Sequence, residues 1–133
     1  VLGKSIVIGE PIVPLLKEAN AEVLNLDTSD SNEIREQLAK FKPDAIVSGM
    51  DIISLVSSED LPDSVEVFID GGAIREKQED GKYKSFGDFN ADEYDKLDDR
   101  SIKYTYRVKG VGIMILTMLV YNLLDRYKVI TNK

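Results

Sequence analysis

Apolar positions along this chain switch repeatedly between a period of two and a period near 3.6. Residues 5–8, Ser-Ile-Val-Ile, make a short β-branched run that ends at Gly9 and predicts a strand. Ile12, Leu15, Leu16 and Ala19 follow at helical spacing, and Asn20 suits the left-handed residue that closes a helix. Residues 21–27, AEVLNLD, predict a second strand ending at Asp27. Asp30 and Glu33 have the spacing of a capping box, with Asp in place of Ser or Thr. Ile34, Leu38 and Phe41 continue that helix on one face until Pro43 stops it. Residues 44–49, DAIVSG, read as the third strand, residues 57–63 as a serine-capped helical turn, and residues 65–72, VEVFIDGG, as the fourth strand.

The alternation breaks at residues 75–86, REKQEDGKYKSF. Asp80-Gly81 between two polar and aromatic arms predicts a β-hairpin there. A short helix over residues 91–97 and a strand over 101–108, SIKYTYRV, come next. The last helix runs from Gly112 to about Tyr127 and is apolar nearly all round, so it is expected to be buried on most sides. Strands alternating with helices imply an α/β fold whose mostly parallel sheet is covered on both faces. The expectation is one Rossmann-like three-layer domain over residues 1–133, with an inserted hairpin and no internal repeat.

Composition narrows the chemistry. The net charge of −7 works against nucleic acid and anionic membrane surfaces. The acidic run at residues 90–99 reads as a solvated helix face. Cysteine and histidine are both absent, which removes disulfides, thiolate nucleophiles and the commonest general base and metal ligand. No EF-hand spacing is present, so no metal is expected. The uncharged apolar stretch at residues 111–124 is shorter than the roughly 20 residues of a membrane span. With no signal peptide visible, a cytoplasmic location is expected. Val rather than Met at position 1 fits a processed product or a piece of something longer.

Ligands in parallel α/β sheets bind beyond the carboxyl ends of the strands, where the strand order reverses. The segments there are Gly9–Pro11, Asp27–Ser29, Ser48–Gly49, Asp70–Ile74 and Arg107–Gly112.

Six motifs in order carry a resemblance. They are GKSIVIG (3–9), AEVLNLDTSD (21–30), PDAIVSG (43–49), VFIDGGAIR (67–75), the pair DGK (80–82) and GDFN (87–90), and TYRVKGVGIMILTMLVYNLL (105–124). Together they resemble the C-terminal NAD(P)-binding domain of methylenetetrahydrofolate dehydrogenase/cyclohydrolase, over essentially the whole chain. That family couples oxidation of 5,10-methylenetetrahydrofolate to hydrolysis of the methenyl product. Its folate chemistry, chiefly a lysine with a nearby tyrosine, belongs to an N-terminal domain. The resemblance therefore implies a dinucleotide site here, no catalytic residue, and an isolated chain without dehydrogenase activity. It implies that Gly9, Glu10, Asp27, Thr28, Gly49, Ala73, Ile74, Thr105, Val108 and Gly110 line the cofactor site. The partners to expect are a catalytic folate-binding domain or partner chain, or a second copy.

Two segments depart from the family pattern. The family has Gly-Arg-Ser, two variable residues, Val-Gly, one residue and Pro. With Gly9 taken as the first glycine, the loop is several residues short, Glu10 stands for Arg, and Pro11 stands for Ser. Pro11 and Pro14 lack an N–H, and Glu10 repels a pyrophosphate by about 4 kcal/mol at 4 Å and an effective dielectric of 20. Phosphate binding is expected to be weakened accordingly. In the last motif Arg107-Val108-Lys109-Gly110 replaces Val-Pro-Gly-Gly, Tyr106 stands for the first Pro, and Ile113 stands where Pro is usual. Asp27, eighteen positions after Gly9, is placed to bind ribose hydroxyls and to repel a 2′-phosphate, which favours NAD over NADP. The other reading is a non-catalytic module that keeps the fold, has lost the cofactor site, and associates with other proteins.

Overall fold

The structure, a computed structural model, describes residues 1–105 and 110–131. Its central sheet is parallel. β1 (Ala45–Ser48) pairs with β2 (Val67–Asp70), and β2 pairs with β5 (Lys103–Tyr104). Two more lines of chain extend the sheet through parallel bridges, Leu2 to Ser48 and Leu2 to Leu26. Backbone bonds from Leu2 to Val47, Gly49 to Leu2, Gly3 to Leu26 and Leu26 to Val1 hold these lines together. Across the sheet the order is Leu26, Leu2, β1, β2, β5. In chain order that is 2-1-3-4-5, a doubly wound arrangement whose switch point lies between the Leu2 line and β1. The expected Rossmann-like α/β architecture is what the chain adopts.

The first strand is not where the apolar run predicts it. Residues 6–8 form a turn, and the strand contact is at Leu2. The Ser5 hydroxyl accepts the Ile8 N–H at 3.2 Å, and the Ser5 carbonyl accepts the Glu10 N–H at 3.0 Å. These bonds close a loop, and the β-branched run lies on it in solvent, Ile6 and Val7 being 80% and 73% exposed. Helix α1 then spans Gly9–Glu18, starting three residues before the first expected apolar position. Asn20 does adopt the left-handed conformation that follows it, with φ 62°.

Helix α2 spans Ser31–Phe41, and its Asp30 cap accepts the N–H groups of Asn32 and Glu33. The expected reciprocal box is incomplete, because the Glu33 carboxylate accepts the Thr28 hydroxyl at 2.7 Å instead. The hairpin forms as expected, β3 (Ile74–Lys77) against β4 (Tyr83–Phe86), with Gly81 at φ +79° in the turn. A 3₁₀ turn at Ala91–Glu93 leads into α3 (Tyr94–Asp99), and a second such turn covers Ser58–Asp60. Helix α4 spans Val111–Thr131. No described residue of α4 is buried, against the expectation from its composition.

The core lies on one side of the sheet. Ile46 and Phe68 point into a cluster with Leu2, Ile34, Leu38, Leu55, Val56, Leu61, Val65, Phe89, Leu97 and Ile102. Phe68, Phe89, Tyr94 and Tyr104 stack in sequence with centroids 5.0–5.3 Å apart. Tyr104 is thus a packing residue. The alternate positions Val47, Val67 and Ile69 on the other face are only half-buried. Arg100 ties the long β1–β2 connection to α3, donating to the carbonyls of Ser58, Leu61 and Pro62 at 2.8–3.0 Å. Arg100→Ala leaves three acceptors without their charged donor. It is expected to lower stability by about 1.5–3 kcal/mol in urea unfolding.

Candidate functional site

The switch point places the chain's first loop against the end of β1. Gly3 has φ +104°, and a Cβ there would lie 2.8 Å from the Gly49 carbonyl oxygen. Only glycine meets both demands without strain. Gly9 in turn sits on the Gly3 backbone, where a Cβ would overlap the Gly3 carbonyl. The segment from Gly3 to Gly9 is therefore a closed loop joining the Leu2 line to the first residue of α1. Lys4 and Ser5 are exposed on it. Among the described residues, nothing accepts from the N–H groups of Ser5, Ile6, Val7 or Gly9. Oriented free N–H groups beside the positive end of a helix dipole make an anion-binding cradle.

This geometry corrects the expected register of the loop. With the strand at Leu2 and the helix starting at Gly9, the pattern Gly-Arg-Ser, two variable residues, Val-Gly, one residue and Pro falls on Gly3 to Pro11 with nothing missing. Lys4 stands for Arg, Ser5 matches Ser, Ile8 stands for Val, and Gly9 and Pro11 match. The loop is not shortened. Glu10 is in the first turn of α1 and exposed, and in this register it does not stand at the family's Arg position. Sequence reasoning passed over Gly3, Lys4 and Ser5 because Ile6-Val7-Ile8 looked like strand. The nine-residue spacing itself was the signal that would have found them.

Of the other expected residues, Asp27 is exposed at the end of the Leu26 line, and its carboxylate accepts the Lys4 N–H at 3.3 Å. Thr28 is bound into the α2 cap through Glu33 and Asp30. Gly49 and Gly71 both face the Ile8 side chain, whose Cδ1 would lie 2.6 Å from a Cβ at either position. Ala73 is exposed, and its N–H donates to Asp51 at 2.9 Å. Ile74 opens the hairpin. The Thr105 hydroxyl accepts the Asp70 N–H at 2.9 Å. Gly9, Asp27, Gly49 and the Gly71–Ala73 segment therefore share one rim with Thr105. Gly110 precedes α4, and no described contact joins it to them. Val108, with Tyr106, Arg107 and Lys109, lies outside the described residues.

Beneath the rim lies a pair of buried carboxylates that the sequence did not single out. Asp88 is fully buried; it accepts the Ser48 hydroxyl at 2.6 Å and the N–H groups of Met50 and Ile52 at 2.8 and 2.9 Å. Asp70, 4% exposed, accepts the N–H groups of Gly72, Asp88 and Phe89 at 3.0–3.1 Å. Burial pushes the Asp70 carboxyl above its ordinary range, and three N–H bonds pull partly against that. A cavity of about 540 Å³ exists elsewhere, lined by Leu16, Leu24, Phe41, Val47 and Ile69 among others. No residue of the rim lines it.

Residues 1–131 match the family model described as tetrahydrofolate dehydrogenase/cyclohydrolase, NAD(P)-binding domain. The chain belongs to this family. It is 35% identical over 124 residues to the bifunctional protein FolD of Staphylococcus saprophyticus. That match covers 93% of this chain and 40% of the relative, so the chain spans less than half of the protein it resembles. Membership in an NAD(P)-binding domain family lends no support to the alternative of a fold kept for protein association alone. Among the described residues, no helix is long and apolar enough to cross a membrane.

Asp70 gives the site a pH signature with a definite sign. Its folded pKa is raised, so its contribution to stability is fully present below the unfolded value near 3.9 and is lost as pH rises through the folded value. Asp70→Asn is expected to flatten that part of the stability–pH curve. The amide also sets an NH₂ against a backbone donor, so overall stability should fall by about 1–3 kcal/mol. Urea unfolding of both proteins from pH 3 to pH 8 reads the two effects separately.

Proposed function

We propose that this chain holds a nicotinamide dinucleotide at the rim of its parallel sheet, as the cofactor-binding part of a methylenetetrahydrofolate dehydrogenase/cyclohydrolase. The observation that carries the reading is the complete loop from Gly3 to Pro11 at the topological switch point. It presents free N–H groups, a lysine and a helix amino end together. These residues fit a pyrophosphate. Ser5, Ile6, Val7 and Gly9 would supply backbone donors, and Lys4 a mobile cation. Glu10 works against them only as an exposed, solvent-screened charge. Gly49 and the Gly71–Ile74 segment would line the crevice, with Thr105 below.

The bound nicotinamide supplies a hydride acceptor. This chain's own residues do the holding and orienting. Chemistry on the folate falls to a catalytic domain or chain outside these residues, and the chain alone is expected to lack dehydrogenase activity. Asp27 sets the choice of dinucleotide. Its carboxylate, beside Lys4 at the end of the second strand line, would accept the ribose hydroxyls and repel a 2′-phosphate. NAD is therefore favoured over NADP.

Isothermal titration with both dinucleotides tests the reading. NAD is expected to bind in the micromolar range and NADP about 10-fold or more weakly. Asp27→Asn should narrow that gap, mainly by strengthening NADP binding. Lys4→Ala should weaken both. Absence of binding by either dinucleotide at millimolar concentration, with the fold intact by circular dichroism, would overturn it.

A further inference from the structure

Three β-branched residues lie on the first loop, and they are not equivalent. Ile6 and Val7 stand in solvent, whereas Ile8 is half-buried. The Ile8 side chain enters a notch just beyond the ends of β1 and β2, where the chain has Gly49 and Gly71. The three atoms nearest to a Cβ placed at Gly49 are Cδ1, Cβ and Cγ2 of Ile8, at 2.6, 2.9 and 3.0 Å. A Cβ at Gly71 would lie 2.6 Å from the same Cδ1 and 2.8 Å from the Ser48 carbonyl oxygen. Neither glycine has the positive φ of Gly3. Their backbone conformation is therefore open to residues with a side chain. What excludes one is space, and at Gly49 that space is filled by Ile8.

The polar bonds of the loop do a different job. Ser5 accepts the Ile8 and Glu10 N–H groups, which closes the loop on itself. The Lys4 N–H reaches the Asp27 carboxylate at the loop's entry. Ile8 adds an apolar contact that joins the far half of the loop to the residues following both strands. Free N–H groups hold an anion well when they are already aimed, because a loop that must be ordered on binding loses affinity to that ordering.

We infer that Ile8 is the positioning residue of this loop, and that position 49 requires glycine because Ile8 fills its side-chain space. The inference rests on the reading of Gly3 to Pro11 as a pyrophosphate loop. It gives Gly49 a role distinct from that of a glycine that lets a cofactor approach the backbone. Gly49 acts on the ligand through Ile8.

A double-substitution cycle separates the two roles. Gly49→Ala is expected to drive Ile8 from its notch and weaken NAD binding about 10-fold in isothermal titration, and Ile8→Ala to weaken it by a similar factor. In the Ile8→Ala background, Gly49→Ala should add less than about 2-fold, because no side chain remains to be displaced. A methyl group at position 49 that met the cofactor itself would add its full loss in both backgrounds. Ile8→Val keeps Cβ and Cγ2 against Gly49 and should bind within about 3-fold of the unaltered chain. Backbone NMR relaxation of the free protein gives a second readout. Amides of residues 5–8 should have order parameters of about 0.85 in the unaltered chain and Ile8→Val, and below about 0.6 in Ile8→Ala and Gly49→Ala, with core signals unchanged. Additive losses in the cycle, or a loop equally ordered in every variant, would overturn the inference. Failure of the proposed function shows separately, as an ordered loop in an unaltered chain that binds no NAD at millimolar concentration. The relaxation comparison then still decides whether Ile8 sets the shape of the loop.

Discussion

Two buried carboxylates determine where the loops of the rim lie. Asp70 ends β2, and Asp88 sits in the connection after the hairpin. Between them they accept one hydroxyl and five backbone N–H groups. Those donors come from three loops, residues 48–52, 71–72 and 87–89. Irregular backbone needs partners wherever it leaves the sheet and is cut off from water. Here the partners are ionisable side chains in place of further strands. A short sheet of four-residue strands can thereby support a rim made almost wholly of loops. The arrangement carries a cost, because two acidic groups are buried close together and, among the described residues, no cation is bonded to either. The raised pKa of Asp70 is the visible part of that cost.

The fold was legible wherever local chemistry and tertiary context agree. Asp80-Gly81 made a hairpin because the turn requires a left-handed residue, and Gly81 supplies it. Asn20 ended a helix for the same reason. Residues 45–48 and 67–70 formed strands because both were apolar runs bounded by polar turns. Ile6-Val7-Ile8 misled because β propensity is weak against a loop whose closure is fixed by Ser5 and by glycines at both ends. The rim was legible from topology alone, since it needs only the positions at which strands end. The carboxylate pair was not. Nothing in the string marks Asp88 as buried more deeply than Asp92 or Asp95, because burial is decided by the return of the chain after the hairpin.

The register of the first loop changed the chemistry more than the fold. Placed at Gly9, the loop looked acidic and stiffened by proline. Placed at Gly3, it puts Lys4 where the family pattern has Arg, and Pro11 sits inside the first turn of α1, where proline is readily accommodated. The same residues gave opposite conclusions about phosphate because a shift of six positions exchanged Lys4 for Glu10.

The Leu2 line lies between the Leu26 line and β1, so residues 1–3 supply an interior line of the sheet. Its neighbours come from about 24 and 46 positions later in sequence. The loop from Gly3 to Gly9 hangs directly from that line, so backbone bonds to neighbours on both sides anchor its entry before it leaves the sheet.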